Sequence, residues 1–263
     1  MASAKQESLC CLSVVIAAYN EEATLASVVE KVLSLPHTLE VIIVDDASTD
    51  GTAEVARRLA AAHPQVRTVS HPKNVGKTGA LKTGFALTSG DIVLVQDADL
   101  EYDPSEIPEL IQPILGGYAD VVYGSRFLVR RAARVLYYYH FLGNKTLTFI
   151  SNLLTNLNMT DIETGYKAFR GEIIRSMRIV SRGFGFEVEA TAKIAKLGCA
   201  IYEVPISYYG RTYEEGKKIG LKDAFHALWL VLRFNIFSGM RSSFHRLPQL
   251  EPTITGNLMS KRT

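Results

Sequence analysis

The chain has 263 residues, 47% of them hydrophobic, with 29 Lys and Arg against 27 Asp and Glu. That is enough for one sizeable domain with short tails, and a net charge of +2 provides no general electrostatic drive toward nucleic acid. No window reaches the roughly 18 uninterrupted apolar residues that a bilayer-crossing helix needs, because the best candidate, 221–238, carries Asp223, His226 and Arg233. Cys10, Cys11 and Cys199 have the spacing of neither a zinc site nor a disulfide framework; they are expected to be reduced, apolar residues of a cytoplasmic protein.

In chain order, short β-branched runs alternate with helical patterns. Strands are expected at 13–18, 41–44, 66–69 and 91–96, with helices at 22–35, 52–62 and 79–88 between them. Strands and helices of these lengths in strict alternation imply a parallel sheet with crossover helices. Beyond Pro104 the pattern predicts a short helix at 107–115, a strand at 120–123, a long helix at 136–157, a strand near 200–204 and an amphipathic helix after Lys222. From about Gly239 the composition turns polar, with scattered Pro and basic residues. The expected layout is a tail at 1–11, one domain at 12–238 and a poorly ordered tail at 239–263.

In parallel α/β sheets ligands sit at the carboxyl ends of the strands, so the polar residues that follow each strand are the first candidates. They are Tyr19-Asn20-Glu21, the run 45–51 opening on Asp45-Asp46, and Asp97-Ala98-Asp99 with Glu101 two residues on. Asp97, Asp99 and Glu101 offer hard oxygen ligands suited to Mg²⁺ or Mn²⁺. Asp46 is placed to accept a hydrogen bond from a nucleobase, whereas Ser48 and Asp50 read as turn and helix-capping residues. In 71–80, Gly76 and Gly79 let backbone approach a ligand and Lys77 supplies charge, although the spacing is not that of a Walker loop.

Taken in order, Ala17-Ala18-Tyr19-Asn20-Glu21, the segment 44–52, Asn74-Val75-Gly76-Lys77, Asp97-Ala98-Asp99-Leu100 and Gly124-Ser125-Arg126-Phe127 resemble the family 2 glycosyltransferases. The segments 161–169 and 203–206 look like the branch containing dolichol-phosphate mannose synthases and polyprenyl-phosphate glucosyltransferases. The resemblance runs over about 12–237 and implies a GT-A-type α/β fold, a mostly parallel central sheet flanked by helices. It also implies inverting transfer of a hexose from a nucleoside-diphosphate sugar, UDP-linked or GDP-mannose, to a polyprenyl or dolichyl phosphate. By position, Ala17, Tyr19, Glu21, Asp46, Lys77, Asp97 and Ala98 would line the donor pocket, and Asp97, Asp99 and Glu101 would hold the metal. The family usually has Pro where this chain has Ala17, and the mannose synthases usually have Gln where it has Glu101.

An ionised lipid phosphate can attack the anomeric carbon without a general base. Catalysis is then in-line positioning and neutralisation of the departing diphosphate, with Asp99 on the donor side. Arg126, Arg211 and Lys217 are the expected cations facing the acceptor phosphate, and the resemblance puts Asp161 near the sugar. A hydroxyl acceptor would instead need a carboxylate base, Asp161 or Glu163. The acceptor side departs from the mannose synthases: the stretch before Gly143-Asn144 reads 136–142 as Leu-Tyr-Tyr-Tyr-His-Phe-Leu, and the basic residues come earlier, at Arg130, Arg131 and Arg134.

Two stretches, 130–149 and 217–237, mix aromatic and basic residues; Tyr137, Tyr138, Tyr139, Phe149, Trp229, Phe234 and Phe237 stand out. This suits helices lying at a membrane surface, or an interface with another copy or an anchoring partner. A peripheral protein on the cytoplasmic face is therefore expected. A soluble transferase acting on a saccharide hydroxyl, and a non-catalytic sugar-nucleotide binder, are the competing readings.

Overall fold

The computed structural model describes residues 12–128, 134, 137–210, 221–250 and 253, with backbone alone for 221–224. Strand β1 (Leu12–Ala18) is the centre from which the sheet grows. It pairs in parallel with β2 (Thr38–Asp45) on one side and β4 (Ile92–Asp97) on the other, and β2 pairs in parallel with β3 (Val66–Ser70). Ala17 stands opposite both Val44 and Asp97, so the carboxyl ends of β1, β2 and β4 finish on one edge. The strand order reverses at β1, where the chain leaves β3 on one flank and crosses to β4 on the other. Such a switch point opens a crevice between the outgoing loops.

The rest of the sheet completes the mostly parallel arrangement expected, with one strand reversed. β6 (Lys167–Arg170) runs antiparallel between β4 and β5 (Val121–Ser125), and β7 (Ile201–Pro205) adds in parallel to β5, giving the order β3-β2-β1-β4-β6-β5-β7. Because β6 is reversed, its first residue, Lys167, lies opposite Val95 and Tyr123 near the carboxyl ends of β4 and β5. The turn that feeds β6 is thereby delivered to the same edge as Asp97.

Both faces of the sheet are covered, as parallel strands require. Alternate residues of β1, Leu12, Val14 and Ile16, face a core built with α1 (Leu25–Leu33), α2 (Thr52–Ala62) and α4 (Ile107–Leu115). Val15, Val93 and Val95 face the opposite core, formed with α3 (Lys77–Leu87), α6 (Gly171–Ser176), α7 (Phe186–Leu197) and α8 (Leu221–Ile236). The long helix α5 (Tyr138–Thr155) ends on Asn156, in the left-handed region at φ 56°, a conformation Asn tolerates at a helix end.

Part of the expected C-terminal tail is packed structure. Helix α9 (Met240–Ser243) is followed by Phe244, only 3% exposed and bridged to Met177, with Arg178 and His245 backbone amides bonded to Ser243 and Ser176 carbonyls. Phe234 is buried in the core, with the Lys193 ammonium 5.5 Å from its ring centroid, so it does not belong to the expected aromatic surface. The other aromatics named from sequence are exposed: Tyr138, Tyr139 and Phe149 on α5, Trp229 on α8 and Phe237 just beyond it by more than half, and Tyr137 by 40%. No helix among the described residues is long and apolar enough to cross a membrane.

Candidate active site

A cleft of about 430 Å³ opens at the carboxyl edge of the sheet. Its walls bring together Ala17, Tyr19 and Glu21 after β1, Asp46 after β2, Lys77 at the start of α3, Asp97, Ala98, Asp99 and Glu101 at the end of β4, and Arg126 after β5. These are ten of the thirteen site residues expected from sequence. Asp161 lies just beneath the wall, fully buried; Arg211 and Lys217 fall outside the described residues, as do Arg130 and Arg131. The cleft adds Tyr102, Glu163, Gly165, Gly183, Phe184, Glu187 and Tyr208.

The β1 and β2 loops are stitched to each other. Ser48 Oγ accepts from the Asn20 amide, Asn20 Oδ1 accepts from the Thr49 amide, and Thr52 Oγ1 accepts from the Glu21 amide. Asp50 Oδ1 accepts from the Thr52 amide, the turn and capping role expected of it. Asp46 sits on the cleft wall, but its carboxylate is engaged by protein: Oδ1 pairs with His71 Nδ1 at 2.8 Å and accepts from the Val75 amide, and Oδ2 accepts from the Gly76 amide at 2.7 Å. Asp46 thus fixes the 71–76 loop against the strand ends.

That loop enters α3 through Gly76, whose φ of +84° is the left-handed region open to glycine. A Cβ there would also come within 3.0 Å of Gly183 Cα, so the two loops meet backbone to backbone. Thr78 completes the junction: its amide and hydroxyl both donate to the Gly183 carbonyl, and its Oγ1 accepts from the Phe186 amide. The first turn of α7 is held against the first turn of α3, and Glu187 arrives beside Lys77.

Lys77 bridges two carboxylates, with Nζ 2.7 Å from Asp97 Oδ1 and 3.2 Å from Glu187 Oε1. Burial alone would push the lysine down; the coulombic pull of Asp97 and Glu187 outweighs it and holds the ammonium above its ordinary range. Gly165 lies against this pair, because a Cβ built on it would come within 2.5 Å of Asp97 Oδ2. Its amide donates to Tyr102 Oη.

At the far end of the cleft Arg126 is locked in a two-pronged pair with Asp161, Nε to Oδ2 at 2.6 Å and Nη2 to Oδ1 at 2.8 Å, reinforced by the Arg126 amide. The guanidinium also lies 5.2 Å from the Tyr208 ring centroid, and Tyr208 Oη donates to Glu101 Oε2. Asp161 therefore orients Arg126 and is not itself a free base. Its turn is anchored from β7: Glu203 accepts from the Thr160 and Asp161 amides.

Lys167 secures the other side of the same turn. Fully buried, it donates to the Ile162 and Thr164 carbonyls, and burial pushes it down to about 8 despite the neighbouring Glu187, Asp161 and Glu163. Glu163 carries a buried Oε1 with no hydrogen-bond partner, and Glu187 a buried Oε2 in the same condition. Burial, with Glu187 close by, lifts the Glu163 carboxyl to about 7.

Among the described residues no three His, Cys, Asp or Glu side chains form a preassembled metal cage, so the expected triad does not converge as a set. Asp97 is paired with Lys77, Asp99 Oδ1 accepts from the Glu101 amide, and Glu101 accepts from Tyr208. All three still line one rim. That fits a cation such as Mg²⁺, which is commonly held by one or two carboxylates together with substrate phosphates rather than by an all-protein cage.

A switch-point cleft walled by strand-end carboxylates, a buried lysine and an oriented arginine on a doubly covered α/β sheet is the kind of crevice in which open α/β folds bind their ligands. The chain belongs to glycosyl transferase family 2, whose model matches residues 13–178. Among similar proteins, the undecaprenyl-phosphate mannosyltransferase of Micrococcus luteus is 33% identical over 216 residues, covering 78% of this chain and 86% of that protein. The polyprenol monophosphomannose synthase of Mycolicibacterium smegmatis is 31% identical over 214 residues, covering 79% and 80%. Glucosyl-3-phosphoglycerate synthase from Mycobacterium tuberculosis, solved with Mn²⁺, uridine diphosphate and glucosyl-3-phosphoglycerate, superposes with a TM-score of 0.66 at 25% identity, covering 88% of this chain and 82% of that one.

Proposed function

We propose that this chain transfers a hexose from a nucleoside-diphosphate sugar to a polyprenyl phosphate at a membrane surface. The observation that carries the reading is the Arg126–Asp161 pair. It fixes a guanidinium on the cleft wall with its unused N–H groups available for an anion, while the adjoining carboxylate is fully buried. Such a device suits an acceptor that arrives already ionised and needs positioning rather than deprotonation. The names of the two polyprenyl-phosphate relatives support the same acceptor.

In this reading the nucleoside lies over β1 and β2, between Ala17, Tyr19, Glu21 and the loop pinned by Asp46, and the diphosphate lies over the end of β4. Asp97, Asp99 and Glu101 would hold Mg²⁺ or Mn²⁺, which supplies charge neutralisation to the diphosphate leaving group; the Mn²⁺ in the glucosyl-3-phosphoglycerate synthase structure supports this. Lys77 holds Asp97 and Glu187 in place and adds positive charge beside the diphosphate. Arg211 and Lys217 would add charge on the acceptor side. The exposed aromatics of α5 and α8 would rest on the bilayer, on its cytoplasmic face.

The test is transfer of labelled sugar from UDP-glucose and from GDP-mannose into detergent-solubilised polyprenyl phosphate, run beside soluble saccharide acceptors. Transfer to lipid phosphate, with Arg126→Ala lowering it far more than it weakens donor binding, is the expected result. Transfer to a soluble hydroxyl with none to lipid would sink this reading. It would promote a second one, in which Glu163, lifted to about 7 and facing the cleft, serves as the base for a hydroxyl acceptor.

A further inference from the structure

The cleft wall contains two carboxylate oxygens that the protein leaves without a partner although both are buried, Glu163 Oε1 and Glu187 Oε2. Buried polar atoms in native proteins are overwhelmingly satisfied, so an orphan oxygen on a side chain that lines a cleft calls for a partner, which a ligand in that cleft supplies once the carboxylate turns toward it. Neither oxygen is explained by the fold. The remaining contact of Glu187 is to Lys77 through its other oxygen, and Glu163 forms no ion pair with Lys167, whose ammonium is turned to the Ile162 and Thr164 carbonyls instead.

Position along the sheet edge says which part of a ligand comes to these atoms. The strands run β2-β1-β4-β6-β5, about 4.8 Å apart. Over β2 and β1 lie Asp46, Ala17 and Tyr19, over β4 lie Asp97 and Asp99, and over β5 lies Arg126. Glu163 stands on the turn entering β6, between the β4 carboxylates and Arg126. Glu187 reaches the same stretch from α7, through its contact with Lys77 beside Asp97. With a diphosphate over β4 and an acceptor anion at Arg126, the group between them is the transferred hexose. Its hydroxyls are donors, and carboxylate oxygens are acceptors with no donor of their own when ionised.

We infer that Glu163, seconded by Glu187, reads the hydroxyl groups of the donor's sugar and is a specificity-determining residue of this site. The inference rests on the donor half of the proposed function and is independent of the acceptor. Glu163 is available for this because the turn that carries it is held by others: Lys167 on its carbonyls, Glu203 on the Thr160 and Asp161 amides, and Tyr102 on the Gly165 amide.

The experiment is calorimetric titration, with Mn²⁺ present, of UDP-glucose and GDP-mannose against UDP and GDP, on the parent, Glu163→Ala, Glu163→Gln and Glu187→Gln. If Glu163 contacts the sugar, Glu163→Ala binds the preferred sugar nucleotide about tenfold more weakly, the size expected when a hydrogen bond to a charged group is lost, and binds the sugar-free nucleotide within about twofold of the parent. Glu163→Gln, which keeps one acceptor oxygen and the shape, loses less. Analogues lacking one sugar hydroxyl complete a cycle: the hydroxyl read by Glu163 is the one whose removal weakens the parent but leaves Glu163→Ala indifferent. Equal weakening of sugar nucleotide and free nucleotide would overturn the inference. So would full donor affinity in Glu163→Ala with turnover lost, which would move Glu163 into the chemical step. A parent that binds neither sugar nucleotide would overturn both this inference and the reading beneath it; transfer to a hydroxyl acceptor would overturn the lipid assignment, and the sugar-nucleotide affinity of Glu163→Ala would then decide between Glu163 as sugar reader, weakened about tenfold, and Glu163 as base, unchanged.

Discussion

Replacing Asp161 by Asn is the sharpest perturbation of the Arg126 end of the cleft, because it removes a charge and almost no volume. Asp161 is 0% exposed and its partner Arg126 only 12% by side chain, so water cannot compensate the guanidinium that remains. Breaking a buried pair by removing one partner costs about 3–5 kcal/mol. In a protein of this size each kcal/mol moves the melting temperature by roughly 2–4 °C, so Asp161→Asn is expected to melt about 6–20 °C lower. The paired variant Arg126→Met with Asp161→Asn leaves no orphaned charge, and its loss should be well below the sum of the single losses, a coupling of a few kcal/mol. Urea denaturation of the four proteins, read at constant slope, measures it. A single Asp161→Asn variant melting within about 2 °C of the parent, or single losses that simply add, would refute the assignment of Asp161 as the structural counter-charge of Arg126.

Asp46→Ala frees the Val75 and Gly76 amides and His71 at once and is expected to weaken UDP binding by about 1–3 kcal/mol through the loosened loop; an unchanged dissociation constant would confine Asp46 to folding. Gly165→Ala drives a methyl group against the flexible end of Asp97, so turnover should fall at least tenfold while the melting temperature stays within a few degrees, and parental turnover would show that Asp97 has room to move. Asp99→Ala should abolish turnover with the fold intact, and excess chelator should do the same to the parent; full activity in chelator would remove the metal from the proposal. Glu163, ordinarily near 4.5, is lifted to about 7 by burial and then by Glu187, so the folded protein holds its proton through a range where the unfolded chain has lost it. That contribution to stability is complete below about pH 4.5 and lost as pH rises through about 7, a change on the order of 3 kcal/mol. Subtracting the stability profile of Glu163→Gln from that of the parent isolates it, and a flat difference over that range would contradict the assignment.

The parallel half of the fold was legible because β1, β2 and β4 are β-branched runs buried on both faces and followed at once by a polar cluster. Asp46, Asp97 and Asp99 could be placed on one edge by that logic alone, whereas Arg126 came with the family resemblance. The reversed strand β6 was not legible, although its neighbours β5 and β7 were expected as strands. β6 has four residues and opens on Lys167, a charged start that no strand pattern anticipates and that makes sense only once its ammonium caps the preceding turn. Helix α7 was hidden for a related reason: Glu187, Glu189 and Lys193 point inward, which erases the amphipathic stripe that marks a helix. Glu189 and Lys193 pair with each other, and Glu189 also accepts from the Val180 and Ser181 amides, so the charges buried on α7 build the 180–185 loop. The run Gly183-Phe184-Gly185-Phe186-Glu187 was the available signal, a glycine-bracketed turn leading into an acidic helix start.

The charge balance of the cleft links these buried groups to the chemistry. Among the described residues seven carboxyl groups line it, Glu21, Asp46, Asp97, Asp99, Glu101, Glu187 and Glu163, the last keeping its proton up to about 7, against two cations, Lys77 and Arg126. Backbone amides and His71 absorb the charge of Asp46, Lys77 is shared between Asp97 and Glu187, and Arg126 is committed to Asp161. Asp161 lies beneath the wall and brings a further negative charge. Among the described groups, then, an anionic diphosphate entering alone would meet a negative surplus in a partly dry cleft, where repulsion is strong. Under the proposed function the surplus is a selection device. It disfavours free nucleotides and phosphates that arrive without a cation, and it leaves the rim carboxylates ready for a donor that brings positive charge with it. Lys77 then has a second duty that its pairing explains: in the absence of donor it keeps Asp97 and Glu187 from repelling each other.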